Sequence, residues 1–444
     1  MTAEAAPPRP EDRRNAIKAV VAGTIGTTIE WYDFYIYGLV AGLVFNKLFF
    51  PEFDPLAGTL LAFSTFFVGF LARPLGAVIF GHLGDRIGRK ASLVATLTLM
   101  AIGTVLVGVV PTYETGGIWG AVILVVLRVV QGIGVGGEWS GSVLLATEWA
   151  TFSKRRGFTG SWAQWGSPAG LTLATAALSV VSSLGQDQIM TWGWRIPFLV
   201  SFVLFGVGMW IRLGILETPF FERMVATERR SSRPVAEAIR NNGREIVLTC
   251  LIRMGQHASF YLFTTFALSY GVANLGLPQQ SFLTVILIAG IVSLVTTPLW
   301  GWLSDVIGRR RMYLIGVVTM LVFAIPYFAV LESGSFALIA VFVVLSLVVH
   351  DMQYGPQAAL IAESFPAPVR YSGSALGYQL SSITSAGPAP IVATYLAAQF
   401  GSALPAGLYL VALCAIALVA TVLLRPQGRM SEESPGAAAP SSAH

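Results

Sequence analysis

Twelve apolar stretches, each close to the length of a bilayer-crossing helix, follow one another along this 444-residue chain. A helix spanning the hydrocarbon takes about 20 mostly apolar residues. The stretches lie near 17–45, 56–81, 91–111, 118–147, 158–184, 194–215, 245–273, 280–303, 312–331, 335–358, 371–398 and 404–424. With no water at membrane depth, their backbone groups must bond within the segment. The expected fold class is therefore all-α integral membrane, with twelve transmembrane helices. Composition agrees, because only 11% of residues are charged where a soluble domain carries roughly 25%. Cys250 and Cys414 both lie in apolar runs, so no disulfide framework is expected. The polar, Pro-rich start MTAEAAPPRPEDRRNAIK, followed by a run holding Glu30 and Asp33, makes a poor signal peptide, and the first span is expected to be retained.

The cations set the orientation. Of 28 Lys and Arg, 23 fall in the N-terminal segment, in alternate loops and at the C-terminal end. The opposite loops hold only Lys47 and Arg195, and Arg73, Arg128 and Arg253 lie within spans. That asymmetry predicts a cytoplasmic basic side with both termini inside. A nucleic-acid surface would need these charges on one continuous face, so nucleic acid is excluded as a partner and the lipid bilayer takes its place. The predicted organisation is a cytoplasmic segment 1–16, a six-helix bundle 17–215, a cytoplasmic linker 216–244, a second bundle 245–425 and a disordered tail 426–444.

The two halves repeat one another. GHLGDRIGRK at 81–90 returns as GWLSDVIGRR at 301–310, an offset of 220, and the pair Glu148/Arg155 returns as Glu363/Arg370, an offset of 215. A parallel repeat of this kind places a substrate site at mid-membrane between the halves, which rock to give alternating access. Asp85 and Arg89, with Asp305 and Arg309, sit at tight loop turns. Their carboxylates suit a helix N-terminus or a nearby cation when that face is closed. Together with Glu148, Arg155, Glu363 and Arg370 they are the predicted gating groups; a turn that only sets topology is the alternative.

Ionisable groups inside spans are functional candidates by default, since each costs roughly 2.5–3.5 kcal/mol on the insertion scale. Glu30, Asp33 and Tyr37 fall at i, i+3 and i+7, on one helical face. Two carboxylates one turn apart resist simultaneous ionisation, as a proton carrier requires. Arg128, with Gln131 one turn on, would hold one of them charged, and Glu138 follows a Gly-Gly pair that suits close packing. Glu30, Asp33, Arg128 and Glu138 are thus the predicted proton-coupling set, with static pairing as the alternative. Arg253 lies 220 residues after Asp33 and can grip a carboxylate through two parallel hydrogen bonds. It is the predicted substrate-anion contact, or else a structural partner of Asp351. His257, Tyr37, Gln131, Trp165, Asp351 and Tyr378 complete the predicted substrate site, and His350–Asp351 is a second candidate proton group. Arg73, before Pro74 near a basic loop, is expected to snorkel or to brace the turn.

GHLGDRIGRK, together with LVVLRVVQGIG at 124–134, resembles the signatures of the major facilitator superfamily, over residues 15–425. More narrowly, IEWYDFYIYG (29–38), QGIGVGGEWSGSVLL (131–145), RRGFTGSWAQWGSPAGL (155–171) and WGWRIPFLVSFVL (192–204) resemble the metabolite:proton symporters. The stretches HDMQYGPQ (350–357) and RYSGSALGYQLSS (370–382) are most similar to the shikimate-type members. GSPAG at 166–170 departs from the antiporter signature, because Ser167 separates Gly166 from Pro168, and symport is expected. The resemblance implies two pseudo-symmetric six-helix bundles and a monomer in the bacterial inner membrane. It further implies proton-coupled uptake of a small organic acid. A zwitterion carrier, a sugar carrier (LETPFFER at 216–223 resembles a sugar-porter element) and a metabolite sensor that moves nothing remain as alternatives. No cofactor, metal or enzymatic activity is expected: the four histidines have no ligand spacing and no phosphate-binding GxxxxGK[ST] is present.

Overall fold

A computed structural model describes residues 10–87, 89–149, 156–213, 234–366 and 369–424. Among them the twelve expected spans appear as helices: α1 (Pro10–Val40), α2 (Pro55–Ile87), α3 (Arg89–Val107), α4 (Ile118–Trp149), α5 (Arg156–Ser182), α6 (Ile196–Leu213), α7 (Pro234–Tyr261), α8 (Gln279–Ile307), α9 (Arg309–Glu332), α10 (Phe336–Ala362), α11 (Arg370–Ser381) and α12 (Leu404–Leu423). Eight cross a membrane's thickness by length and composition. The other four break the apolar pattern for visible reasons. Helix α1 carries Glu30 and Asp33, the apolar part of α3 is short (Ala91–Val107), and α5 and α11 are rich in Ser, Gly and Gln.

Three helices contain a wide π-helical turn. In α1 it is Ala41–Phe45, in α7 Leu262–Phe266, and in α11 Ser382–Ala386, after which Pro388–Phe400 continues the span. The α1 and α7 turns lie 221 residues apart, so the repeat extends to backbone detail. Helix α7 is also kinked at Asn242, so a short helical piece from Pro234 precedes the span itself.

The packing repeats as well. Helix α4 packs on α2 and α3 in the first half, and α10 packs on α8 and α9 in the second. Helix α6 lies on α1 and α3, as α12 lies on α7 and α9. Contacts between the halves are related in the same way: α5 packs on α8 and α10, and α11 on α2 and α4. Close approach rests on missing side chains: a Cβ on Gly136 of α4 would stand 1.9 Å from the Arg73 carbonyl oxygen of α2. Lipid tails offer no hydrophobic drive between helices, so such backbone contact supplies the packing.

The fold is apolar outside and polar within. Trp210, Phe202 and Val295 stand out from the perimeter, while Asp33, Arg73, Arg128, Arg253 and Asp351 are fully buried. Charges so placed are held by partners or by function.

Candidate functional site

In the N-terminal half, Asp33 of α1 reaches across the bundle. Its Oδ1 accepts from Thr104 Oγ1 of α3 at 2.7 Å and from Gln131 Nε2 of α4 at 2.8 Å. Its Oδ2 lies 3.5 Å from Arg128 Nη1. Arg128 also donates to Gln131 Oε1 at 2.9 Å, and its guanidinium rests on the Tyr37 ring, 3.9 Å from the centroid. Sequence spacing explains the arrangement: Arg128 and Gln131 are one turn apart and present both groups to α1. Tyr37 and Gln131 therefore take part in this ion-pair network, and neither borders the cavity between the halves. Glu30 is buried one turn before Asp33 and lies within electrostatic reach of Tyr261 and Tyr354 of the other half.

In the C-terminal half, Arg253 of α7 is held at the end of a hydrogen-bonded cluster. Its Nε donates to Gln357 Oε1 at 3.1 Å, its Nη1 to the Tyr378 carbonyl at 2.7 Å and to Ser381 Oγ. The guanidinium lies flat on the Tyr378 ring, 3.3 Å from its centroid. Arg253 Nη2, His257 Nε2 and Tyr261 Oη are buried and have no hydrogen-bond partner among the described residues. All three residues border a small cavity between the halves, which Trp31 and Tyr35 of α1 close from the other side. Tyr35 stacks on Phe260 at 4.7 Å and bonds Ser167 of α5.

Asp351 stands apart from this cavity and from Arg253. Its carboxylate is taken by His350 Nδ1 at 2.9 Å, Ser293 at 2.6 Å and Thr296 at 2.5 Å, so it serves α10–α8 packing and orients His350. His350, not Asp351, reaches the cavity wall. Trp165 is likewise engaged elsewhere: its indole N–H donates to the Leu294 carbonyl across the α5–α8 contact at 2.9 Å.

Arg73 departs from expectation. It does not snorkel; it is fully buried, with its guanidinium 4.0 Å from the Phe34 centroid and 4.4 Å from that of Phe70. Its Nε, Nη1 and Nη2 have no hydrogen-bond partner among the described residues. At Arg73 the backbone of α2 is pressed against Gly136 of α4. The side chains of Asp85, Arg89, Glu138 and Glu148, and Arg155 altogether, lie outside the described residues.

The basic-loop end is closed by α5 and α8. Asp305 accepts the backbone N–H of Gly157 at 2.8 Å and of Phe158 at 2.9 Å, so a carboxylate caps the N-terminus of α5. Arg309 bonds Asp305 at 3.2 Å and also Glu363. Arg370 donates to the carbonyls of Ala362 and Phe365, at the end of α10. Gly308 makes the α8–α9 turn at φ +98°, a conformation that suits a residue without Cβ.

The profile of the family described as "Sugar (and other) transporter" matches residues 18–245 and 222–427, nearly the whole chain. The chain belongs to that family. The transporter is 40% identical over 419 residues to the shikimate transporter of Escherichia coli K12, covering 93% of this chain and 95% of the relative. It is 39% identical to the inner membrane metabolite transport protein YhjE of the same organism, covering 93% and 94%. Among solved structures, a D-xylose-proton symporter superposes with a TM-score of 0.73 at 19% identity, over 92% of this chain and 97% of that one. That likeness shows the major facilitator fold. The protein is accordingly a major facilitator transporter of the metabolite type, and not an enzyme.

Sequence spacing singled out Asp33, Arg128 and Arg253 as charges within spans, and all three are buried. It missed Arg73 as an interior group, and it missed Gln256 and Gln357. Gln256 lies three residues after Arg253 and Gln357 seven after His350, and that helical spacing is the signal available for both.

Proposed function

We propose that this transporter carries a small organic acid inward together with a proton, by alternating access around the cavity between its halves. One observation carries the reading: Arg253 Nη2 and His257 Nε2 are buried without a hydrogen-bond partner among the described residues, and both residues line that cavity one helical turn apart. A guanidinium nitrogen so placed is a donor waiting for an anionic acceptor. His257 Nδ1 contacts Ser381 Oγ at 3.4 Å, and Ser381 already donates to the Tyr378 carbonyl. The histidine therefore directs Nδ1–H at Ser381 and offers Nε2 as an acceptor. A donor for a carboxylate beside an acceptor for a hydroxyl suits a hydroxylated acid. Arg73 adds a second interior cation near His257 and Tyr261.

Proton coupling is assigned to Asp33. Neutralising that carboxylate removes the only charge opposed to Arg128 in its described surroundings, so proton occupancy and helix packing are linked. The Asp305 cap on α5 is assigned as the inner gate, and the excess of Lys and Arg in the loops on that side supports a cytoplasmic location. The names of the relatives support a metabolite cargo, and the xylose structure supports a fold that hosts proton symport.

The test is counterflow and uptake of labelled shikimate and other small carboxylates in proteoliposomes. Uptake should rise with an inward proton gradient and collapse with a protonophore. Arg253→Gln should abolish acid binding while membrane insertion stays normal; unchanged affinity removes the assignment, and exchange of no label by the wild type removes transport itself.

A further inference from the structure

Four hydrogen bonds run from Arg253 to Asp351 in one direction. Arg253 Nε donates to Gln357 Oε1 at 3.1 Å, and Gln357 Nε2 to Gln256 Oε1 at 2.9 Å. Gln256 Nε2 meets His350 Nε2 at 2.5 Å, and His350 Nδ1 meets Asp351 Oδ1 at 2.9 Å. The arginine fixes the polarity of the chain, because a guanidinium only donates. It must face the carbonyl oxygen of Gln357, whose NH2 then faces the oxygen of Gln256. Tyr313 secures the same orientation: its hydroxyl donates to the Ile252 carbonyl at 2.8 Å and is left to accept from Gln357 Nε2 at 3.3 Å. The Gln256 NH2 must in turn donate to His350, so His350 Nε2 carries the lone pair and Nδ1 carries the proton.

We propose that His350 is a second protonation site, in the C-terminal half, whose charge state is transmitted to Arg253 through Gln256 and Gln357. A proton added at His350 Nε2 turns an acceptor into a donor. Gln256 then rotates its amide to present oxygen, and its NH2 meets the NH2 of Gln357. Relief by rotation of Gln357 takes away the acceptor of Arg253 Nε. The guanidinium, still charged and still held through Nη1 by Tyr378 and Ser381, is left with a free Nε–H beside Nη2 and becomes available to a carboxylate. The proton on His350 and the anion on Arg253 therefore favour one another. This deepens the reading of Arg253 as the anion contact and rests on it.

Several groups share the surroundings of His350 among the described residues. Asp351 and Tyr354 lie on α10 itself, and α7 brings Arg253, His257 and Tyr261. Helix α1 brings Tyr35, α5 brings Ser167, and α8 brings the hydroxyls Ser293 and Thr296 on Asp351. Helices α9 and α11 bring Tyr313 and Tyr378, both beside Arg253. Asp351 is the carboxylate among these, and its other oxygen is already held by two hydroxyls, so it stabilises the imidazolium without moving.

The test uses the full chain in lipid nanodiscs with ¹⁵N in histidine rings and arginine side chains, and needs no transported substrate. His350→Asn and Arg253→Gln identify the signals. At high pH, His350 should be the Nδ1–H tautomer. As pH falls, the Arg253 Nε signal should shift with the same midpoint as the His350 ring, although arginine itself does not titrate there. Gln357→Met, which changes no charge, should leave the His350 transition in place and abolish its echo at Arg253. An Nε2–H tautomer, a His350 that never titrates, an unresponsive Arg253, or an echo that survives Gln357→Met would each overturn the proposal. Should Gln357→Met not fold, tautomer and co-titration in the unaltered protein still decide. A protein that passes here yet moves no acid would retire the transport reading and leave the relay standing.

Discussion

Asp33→Asn isolates the worth of the interior ion pair. The carboxylate stands 3.5 Å from Arg128 Nη1 and accepts two further hydrogen bonds. At that separation, and at an effective dielectric near 20, the attraction is about 5 kcal/mol. Removing one partner of a buried pair costs about 3–5 kcal/mol, because the other charge is left uncompensated. Asparagine can still accept from Thr104 and Gln131, but its NH2 would then face the Arg128 donor. The single variant should therefore show a clearly lower apparent melting temperature in detergent. Asp33→Asn combined with Arg128→Gln should recover most of the loss, since two amides of opposed polarity can bond where two charges stood. Unfolding followed by intrinsic tryptophan fluorescence reads both. A single variant as stable as the wild type, or a double variant that falls by the sum of the two singles, would refute the reasoning.

Arg73 gives the opposite sign. Its guanidinium is buried without a hydrogen-bond partner among the described residues. Arg73→Met should hold or raise the melting temperature while cutting acid uptake at least tenfold; a destabilised variant with normal uptake would make Arg73 a packing group. Gly157→Ala probes the inner gate, where a Cβ would stand 2.4 Å from Ser304 Oγ and 2.6 Å from the Gly301 carbonyl. It should bias the transporter inward-open, read as faster thiol labelling of cysteines placed on the cavity side of α5, and unchanged labelling would deny the gate.

Hydropathy made the twelve helices legible because membrane depth leaves the backbone so few options. Asp33, Arg128 and Gln131 could be grouped beforehand, since helical spacing alone brings the last two to one face. Arg73 was misplaced for a local reason: its distance from the loop along the chain suggested an escape to water, whereas the contact at Gly136 holds that stretch of backbone against α4. His350 and Asp351 were candidates together, because sequence shows that two groups are adjacent but not which of them the helix turns toward the cavity; His350 is the one that borders it. The chain of Gln357, Gln256 and His350 links two helices 94 residues apart at one of its contacts. No periodicity within either helix could announce it.

The wide turns at Ala41–Phe45 and Leu262–Phe266 store one spare residue in each leading helix. Drawing that residue back into the regular spiral would swivel everything beyond it by about 100°. The C-terminal ends of α1 and α7 can thus be re-aimed with the helix still hydrogen-bonded, and because the two stores sit at matched positions, both bundles possess the same joint.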